Sequence, residues 1–230
     1  MLIRTRFQND HPLAEQFREM VKMPDFPCVG AKSAMARSRM DFLVARKLSS
    51  GWDDLVIHAH LVEVVRRYLD DRQVFRTLIV LFEEEDALTE ADFERLLWER
   101  AQSLADKDEW LGFKTDPDVS DDPANPHFSL SFGGMAFFVV GLHPAASRPA
   151  RRFGTPALVF NLHDQFEQLR ESGRYEKLRQ SIIERDIVLS GSPNPMLARH
   201  GESSEARQYS GRAVADGWEC PFRRRSSAHE

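Results

Sequence analysis

The 230-residue sequence has few cysteines and none of the common signatures of nucleotide-, zinc- or serine-dependent enzymes. Its two cysteines, Cys28 and Cys220, are separated by about 190 residues. That spacing fits neither a disulfide framework nor a zinc site, and it agrees with a reducing cytosol. There is no Walker loop, no Gly-x-Gly-x-x-Gly, no His-Glu-x-x-His and no Gly-x-Ser-x-Gly. The usual dinucleotide, NTPase, zinc-protease and α/β-hydrolase functions therefore have no support in the sequence.

An excess of basic charge and long apolar runs are also missing. The net charge is -5 and the isoelectric point is about 5.9, whereas nucleic-acid-binding domains usually carry a strong basic patch. The longest apolar run, residues 135–140 with its flanks, is shorter than a bilayer span. The first residues show no apolar signal-peptide core. We therefore expect a cytoplasmic protein that binds neither nucleic acid nor membrane.

Hydrophobic periodicity predicts four helices. The predicted helices cover residues 11–23, 52–70, 89–106 and 161–189, with a break at Gly173 in the last. Thr89 is predicted to cap the third helix and Asn161 the fourth, because Thr and Asn side chains accept hydrogen bonds from free helix N–H groups. Residues 31–47 are ambiguous between a helix and a helix followed by a strand.

Strand patterns follow in the middle of the chain. Residues 76–82 form a continuous apolar run, which is typical of a strand covered on both faces. Residues 128–132 alternate apolar and polar side chains, and the Gly133-Gly134 turn leads into an apolar run at 135–142, which predicts a hairpin. A further strand is predicted at 157–160.

This order of elements predicts the α+β fold class. We expect a single domain over residues 1–222, in which helices pack on a mostly antiparallel central sheet. An irregular C-terminal segment completes the domain, and residues 223–230 are predicted to be a disordered polar tail.

Two histidines directly follow predicted strands, where sites are often built. His143 ends the central apolar strand and is a candidate metal or haem-iron ligand, because neutral imidazole is a common protein ligand. The alternative is a strand-end histidine that hydrogen-bonds to backbone. His163 is predicted in the first turn of a helix, where the dipole favours the neutral ring, as a ligand or general base requires. A surface histidine with satisfied hydrogen bonds is equally compatible.

Charged side chains near these histidines are further candidates. Arg148, Arg151 and Arg152 lie within five residues, and their guanidinium groups can form paired hydrogen bonds with carboxylates or phosphates. The alternative is a solvated loop. Glu202 and Glu205 belong to a charged irregular segment, which is either solvated or, beside a pocket, suited to a cationic substrate.

Several of these elements occur together in one known family. The stretches that carry the resemblance are Phe26-Pro-Cys-Val29, Gly141-Leu-His-Pro144, Ser147-Arg-Pro-Ala-Arg-Arg-Phe153, Pro156-Ala-Leu-Val-Phe-Asn161, Asn194-Pro-Met-Leu197, Glu205-Ala-Arg-Gln-Tyr-Ser-Gly-Arg212 and Cys220-Pro-Phe222. With them the sequence resembles the YqcI/YcgG family, whose characterised relatives are haem-dependent N-hydroxylases of guanidine groups in cycloserine and guanitoxin biosynthesis. The resemblance implies an oxygenase that uses haem b, an external electron donor and an arginine-like small-molecule substrate.

The resemblance leaves the individual roles to be assigned from this sequence. The candidate iron ligands are, in order of preference, His143, His163 and the Cys220 thiolate. The candidate partners of the haem propionates are Arg148, Arg151 and Arg152. The candidate partners of a substrate guanidinium are Glu202 and Glu205.

Two alternatives to an enzyme stay open. One is a non-catalytic haem- or small-molecule-binding protein of the same fold, and the other is a haem-free protein whose arginine loop meets an acidic partner. The apolar hairpin offers an edge for pairing, which favours a homodimer.

Overall fold

The computed structural model describes residues 5–84, 86–198 and 201–224. Within these ranges the chain forms seven α-helices and one five-stranded sheet. The helices are α1 (Pro12–Lys22), α2 (Val29–Ala36), α3 (Asp54–Asp70), α4 (Glu90–Trp110), α5 (Asp164–Glu171), α6 (Tyr175–Ser190) and α7 (Ala206–Tyr209). The strands are β1 (Met40–Ala45), β2 (Thr77–Phe82), β3 (Leu130–Phe132), β4 (Met135–Leu142) and β5 (Ala157–Leu162).

The sheet has the strand order β1-β2-β5-β4-β3. Only β1 and β2 pair in parallel among the described strands, and the other three pairings are antiparallel. The predicted α+β fold with a mostly antiparallel sheet is therefore confirmed. In the pairing of β4 with β5, Phe137 lies opposite Leu162 and Leu142 lies opposite Ala157. The residues that follow these two strands consequently emerge at opposite ends of the sheet.

Helices cover both faces of the sheet, and β2 shows how its residues serve both. Successive strand side chains point to opposite faces, so Leu78 and Val80 join the core beneath α3 and α4. Ile79 and Leu81 join a second core beneath α1 and α2. All six residues of β2 are buried, as its continuous apolar run predicts. Among the described residues, no helix combines the length and apolar character that crossing a membrane requires.

The sequence and the structure agree on most elements and differ at a few boundaries. Gly133 and Gly134 have φ angles of 62° and 83°, which glycine tolerates, and they form the predicted turn between β3 and β4. Thr89 caps α4 by accepting a hydrogen bond from the Asp92 N–H at 3.1 Å. Asn161 is not a helix cap, because it pairs within β5 and α5 begins only after His163.

The C-terminal end of the packed domain lies later in the chain than the sequence predicts. Arg223 and Arg224 were assigned to the polar tail by sequence, yet both contact the domain. The Arg223 N–H donates to the Gln102 side chain at 2.9 Å, and Arg224 lies 3.6 Å from the Asp108 carboxylate. The packed domain therefore continues to residue 224. Residues 225–230, the rest of the predicted tail, lie outside the described residues.

Candidate functional site

The structure separates the two strand-end histidines. His143 follows β4, whereas the His163 N–H donates to the carbonyl of Ala136 at 2.8 Å, near the start of the same strand. Seven residues of extended chain separate Ala136 from His143, which corresponds to about 23 Å at about 3.3 Å per residue. We refer to the two regions as the His143 end and the His163 end of the sheet.

His143 is a buried imidazole with an unused nitrogen. Its residue is 1% exposed, and its ring stacks on Phe93 with centroids 4.4 Å apart and planes at 22°. Within the described part of the chain, no group forms a hydrogen bond with its buried Nδ1. Burial lowers the pKa of His143, the charge of Arg151 lowers it further, and the charge of Glu90 opposes both. The ring is therefore neutral at physiological pH, as ligation requires.

Arg151 is the central polar contact of the His143 end. Its guanidinium donates to the carbonyls of Gly141 at 3.0 Å, Tyr209 at 3.2 Å and Gln208 at 3.1 Å. Its own carbonyl accepts the His143 N–H at 3.0 Å. Burial lowers the pKa of Arg151 to about 10, so the side chain remains charged near neutral pH. Arg151 thus joins α7 to β4 and to the loop that follows it.

The other two arginines also bind acceptors of the protein itself. Arg148 donates to the Asp186 carboxylate at 2.6 Å and to the carbonyl of Ser192 at 3.0 Å. Arg152 donates to the carbonyl of Ala146 at 2.7 Å. The structure thus places all three predicted arginines at the His143 end, with their guanidinium groups engaged in holding the loop. Their role towards haem propionates stays a prediction.

Cys28 approaches this end from α2. Its Sγ accepts a hydrogen bond from the Ala31 N–H at 3.4 Å at the start of that helix. Burial raises the pKa of the Cys28 thiol, hydrogen bonds from Ala31 and Gly30 oppose that change, and the charge of Arg151 also opposes it. The position of Cys28 before a predicted helix was the available signal for the capping contact.

The His163 end contains a buried polar network instead. His163 and Glu205 are 7% and 6% exposed, and the Nε2 of His163 lies 3.3 Å from the Oε1 of Glu205. The Ser129 hydroxyl donates to the Oε2 of Glu205 at 2.6 Å, and the Tyr209 hydroxyl lies 3.4 Å from the same oxygen. Burial and the charge of Glu205 raise the pKa of Tyr209 well above its usual value, so the phenol stays protonated.

The hydrogen bonds of this network do not form a nucleophilic serine triad. In a nucleophilic triad the serine donates to the imidazole, and the carboxylate orients the imidazole from its other side. Here Ser129 donates to the Glu205 carboxylate, so the hydroxyl is not activated by His163. The network joins α7 to the hairpin and to the start of α5.

A cleft of about 690 Å³ opens beside this network, and its wall includes Glu202, Ser204, Trp218 and Cys220. This size is within the range of small-molecule sites. Burial raises the pKa of Cys220 to about 12, so its thiol is not ionised near neutral pH. The two predicted substrate carboxylates thus have different surroundings, because Glu202 lines the cleft and Glu205 belongs to the buried network.

A further buried histidine pairs with an aspartate, and the sequence did not predict this contact. The Nε2 of His58 lies 2.7 Å from the Oδ1 of Asp108, and that oxygen also accepts the Gly133 N–H at 2.7 Å. Both side chains are almost completely inaccessible, at 2% and 0% exposure. His58 and His60 are two residues apart on α3, so they point to different sides of the helix. Nothing in the spacing connected either of them to Asp108, fifty residues away.

The comparison with protein families decides the relationship of the chain. Residues 17–223 match the model of the YqcI/YcgG family. The chain belongs to the YqcI/YcgG family. No curated protein and no solved structure matches it significantly.

Three stretches that carry the YqcI/YcgG resemblance meet at Arg151. They are residues 141–144, 147–153 and 205–212, which supply the Gly141 carbonyl, Arg151 itself and the Gln208 and Tyr209 carbonyls. The stretch 26–29 approaches through Cys28, whose thiol interacts electrostatically with Arg151. The His143 end is therefore the candidate functional site that this YqcI/YcgG member builds from its characteristic residues.

Proposed function

We propose that this YqcI/YcgG member is a haem-dependent oxygenase that hydroxylates a nitrogen of a guanidine-containing small molecule. The observation that carries the proposal is the unpartnered Nδ1 of the neutral, buried His143. A neutral imidazole with a free nitrogen has the chemistry of a haem-iron ligand. Bound haem b would supply the oxygen chemistry, while His143 would supply the ligand and the protein around it would orient the substrate.

The contacts of the other two candidate ligands favour His143. The Nε2 of His163 lies 3.3 Å from Glu205, so ligation through that nitrogen competes with this contact. Ligation through Cys220 requires a thiolate, and burial raises the pKa of that thiol to about 12. His143 has no comparable competitor for its Nδ1 among the residues that the structure describes.

The position of the iron decides which carboxylate holds the substrate. Glu202 and Glu205 serve a substrate only if the iron is at the His163 end, because the reacting atoms must lie within a few ångströms of each other. With His143 as the ligand, Glu90 is a candidate substrate carboxylate, because its charge acts on His143 itself. Its Oε1 accepts the Ser147 N–H at 2.8 Å, which holds it beside the arginine loop.

The first test is an absorption spectrum of protein produced with a haem precursor, recorded as purified and after dithionite and carbon monoxide. We expect a Soret band that responds to both and that His143→Ala removes or shifts. His60→Ala is the matched control, because His60 is equally buried but both its ring nitrogens contact carbonyls, those of Val56 at 2.7 Å and Arg6 at 3.3 Å.

Three other outcomes of this test have distinct meanings. A spectral change caused by His163→Ala alone moves the ligand to the His163 end and restores Glu202 and Glu205 as substrate partners. Protein that stays colourless during haem titration contradicts the haem proposal. Haem binding without consumption of oxygen, when an arginine-like compound and an electron donor are present, supports a non-catalytic haem-binding protein instead.

A further inference from the structure

Helix α6 is long, but none of its side chains is completely buried. It spans sixteen residues, and none of them, all within the described part of the chain, is buried. A surface helix of this length normally buries an apolar stripe against the core. On α6 the apolar residues Leu178, Ile182, Ile183 and Leu189 are only half-buried, and Ile187 and Val188 are 36% and 85% exposed. The hydrophobic effect therefore holds this helix less firmly than its neighbours.

Polar contacts attach α6 to both sides of the His143 end. Arg185 donates to the carbonyls of Pro24 and Phe26, four and two residues before Cys28. Asp186 accepts the hydrogen bond from Arg148, in the loop that follows His143. The helix therefore bridges the two chain segments that bring Cys28 and His143 towards Arg151.

Glycines stand on either side of α6 in the backbone conformation that glycine tolerates best. Gly173 has a φ of 67° and Gly191 a φ of 74°. A Cβ at either position would meet no heavy atom within 4 Å, so neither glycine is required by close packing. Residues at the ends of elements that can absorb backbone rotation are suited to act as hinges.

We propose that α6 is a cover over the His143 end, which opens about Gly173 and Gly191 and closes through the contacts of Arg185 and Asp186. Arg148 and Asp186 keep only 13% and 14% side-chain exposure, and Arg185 bonds to two carbonyl oxygens. The helix thus depends on a few polar contacts, and it can detach while both sheet cores stay packed. The motion itself is independent of the ligand. That the cover admits haem or substrate rests on the proposed function.

The test uses the double variant Arg185→Ala/Asp186→Asn and the reaction of Cys28 with a thiol reagent. We expect Cys28 to react at least about tenfold faster than in the unmodified protein, because hydrogen bonds that hold the closed helix are lost. Amide hydrogen exchange within residues 175–190 should accelerate with it. Lys177→Ala is the control, since Lys177 is an exposed cation on the same helix.

Cys220 provides an internal control, because it lies buried beside the distant cleft. Acceleration at Cys28 and in α6, with Cys220 and the exchange of β2 unchanged, supports a cover. Unchanged rates at Cys28 overturn it, and so does equal acceleration at both cysteines, which indicates general destabilisation. Faster labelling of Cys28 in a protein that takes up no haem supports the cover while contradicting the proposed function.

Discussion

At the residue scale, Gly141 permits the close approach that positions His143. A Cβ at this residue would lie 2.6 Å from the Cε1 of Phe93 and 3.0 Å from the Cδ1 of Leu97. Real Cβ atoms do not approach other atoms this closely, so the Phe93 ring has to sit where only glycine leaves room. That ring is the surface on which the imidazole of His143 stacks.

Gly141→Ala is therefore expected to displace Phe93 and to lower the free energy of unfolding by about 1–3 kcal/mol, the usual cost of overpacking. Urea denaturation measures the change. Gly217→Ala is the matched control, because a Cβ there meets no atom within 4 Å. Adding Phe93→Leu to Gly141→Ala should recover part of the loss, and equal effects of the two glycine substitutions would contradict the packing argument.

The pKa of His143 predicts a pH dependence of stability. Burial lowers this pKa below its ordinary value of 6.5, so the unfolded chain binds the proton more readily than the folded protein does. The corresponding stability is complete above the unfolded pKa and is lost as the pH falls through and below it. We expect the unfolding free energy to fall less steeply in His143→Phe than in the unmodified protein between about pH 7.5 and about pH 5.5.

Denaturant titrations across that pH range measure the two slopes. Phenylalanine keeps an aromatic ring against Phe93 and removes the titrating nitrogen, so the difference between the slopes isolates His143. Parallel curves for the two proteins would show that the burial of His143 is not linked to protonation.

At the scale of elements, a buried ion pair joins α3 to α4. The Asp54 side chain is 0% exposed, and it accepts hydrogen bonds from Nη1 of Arg100 at 2.8 Å and 2.9 Å. Ser103 and Lys107 contact the same carboxylate. From its position near the start of α3, the Asp54 carboxylate would be expected to interact only with the helix dipole. The actual partners lie on another helix.

Asp54→Asn should lower the free energy of unfolding by about 3–5 kcal/mol, because Arg100 is left buried without its counter-charge. Asp53→Asn serves as the control, since Asp53 pairs with Arg46 nearer the surface, where such pairs contribute at most about 1 kcal/mol. Both are measured by urea denaturation. A double substitution of Asp54 and Arg100 by leucine should recover much of the loss, and similar costs at Asp53 and Asp54 would contradict this account.

At the scale of the whole molecule, the C-terminal segment completes the core. Phe222 is 2% exposed and packs against Phe128 and Trp98, with centroids 5.8 Å and 6.3 Å away. The last described residues therefore connect α4 with the segment that leads into β3. The family match to residue 223 includes this segment.

Phe222→Ala is expected to lower the free energy of unfolding by about 3–5 kcal/mol, because it leaves a cavity in an aromatic cluster. Thermal unfolding of the variant and of the unmodified protein measures the change. Leu197→Ala is the control, because Leu197 is 39% exposed. Equal losses in the two variants would contradict the packing argument.

The sequence by itself determined the class of fold, because period-2 and period-3.6 hydrophobic patterns are local properties of the chain. Such patterns predicted the strand at residues 77–82, the Gly133-Gly134 turn and the Thr89 cap. The sequence also showed the YqcI/YcgG relationship. The start of α5 at Asp164 was not predicted correctly, because strand pairing keeps Asn161 in β5 and overrides its capping preference.

Only the tertiary structure decided which candidate residues meet. Antiparallel pairing of β4 with β5 sends His143 and His163 to opposite ends of the sheet, although both directly follow strands in the sequence. The same pairing gathers the three arginines with His143 and leaves Glu205 with His163. Strand direction is set by long-range packing rather than by local pattern, so the composition of each end became visible only in the folded chain.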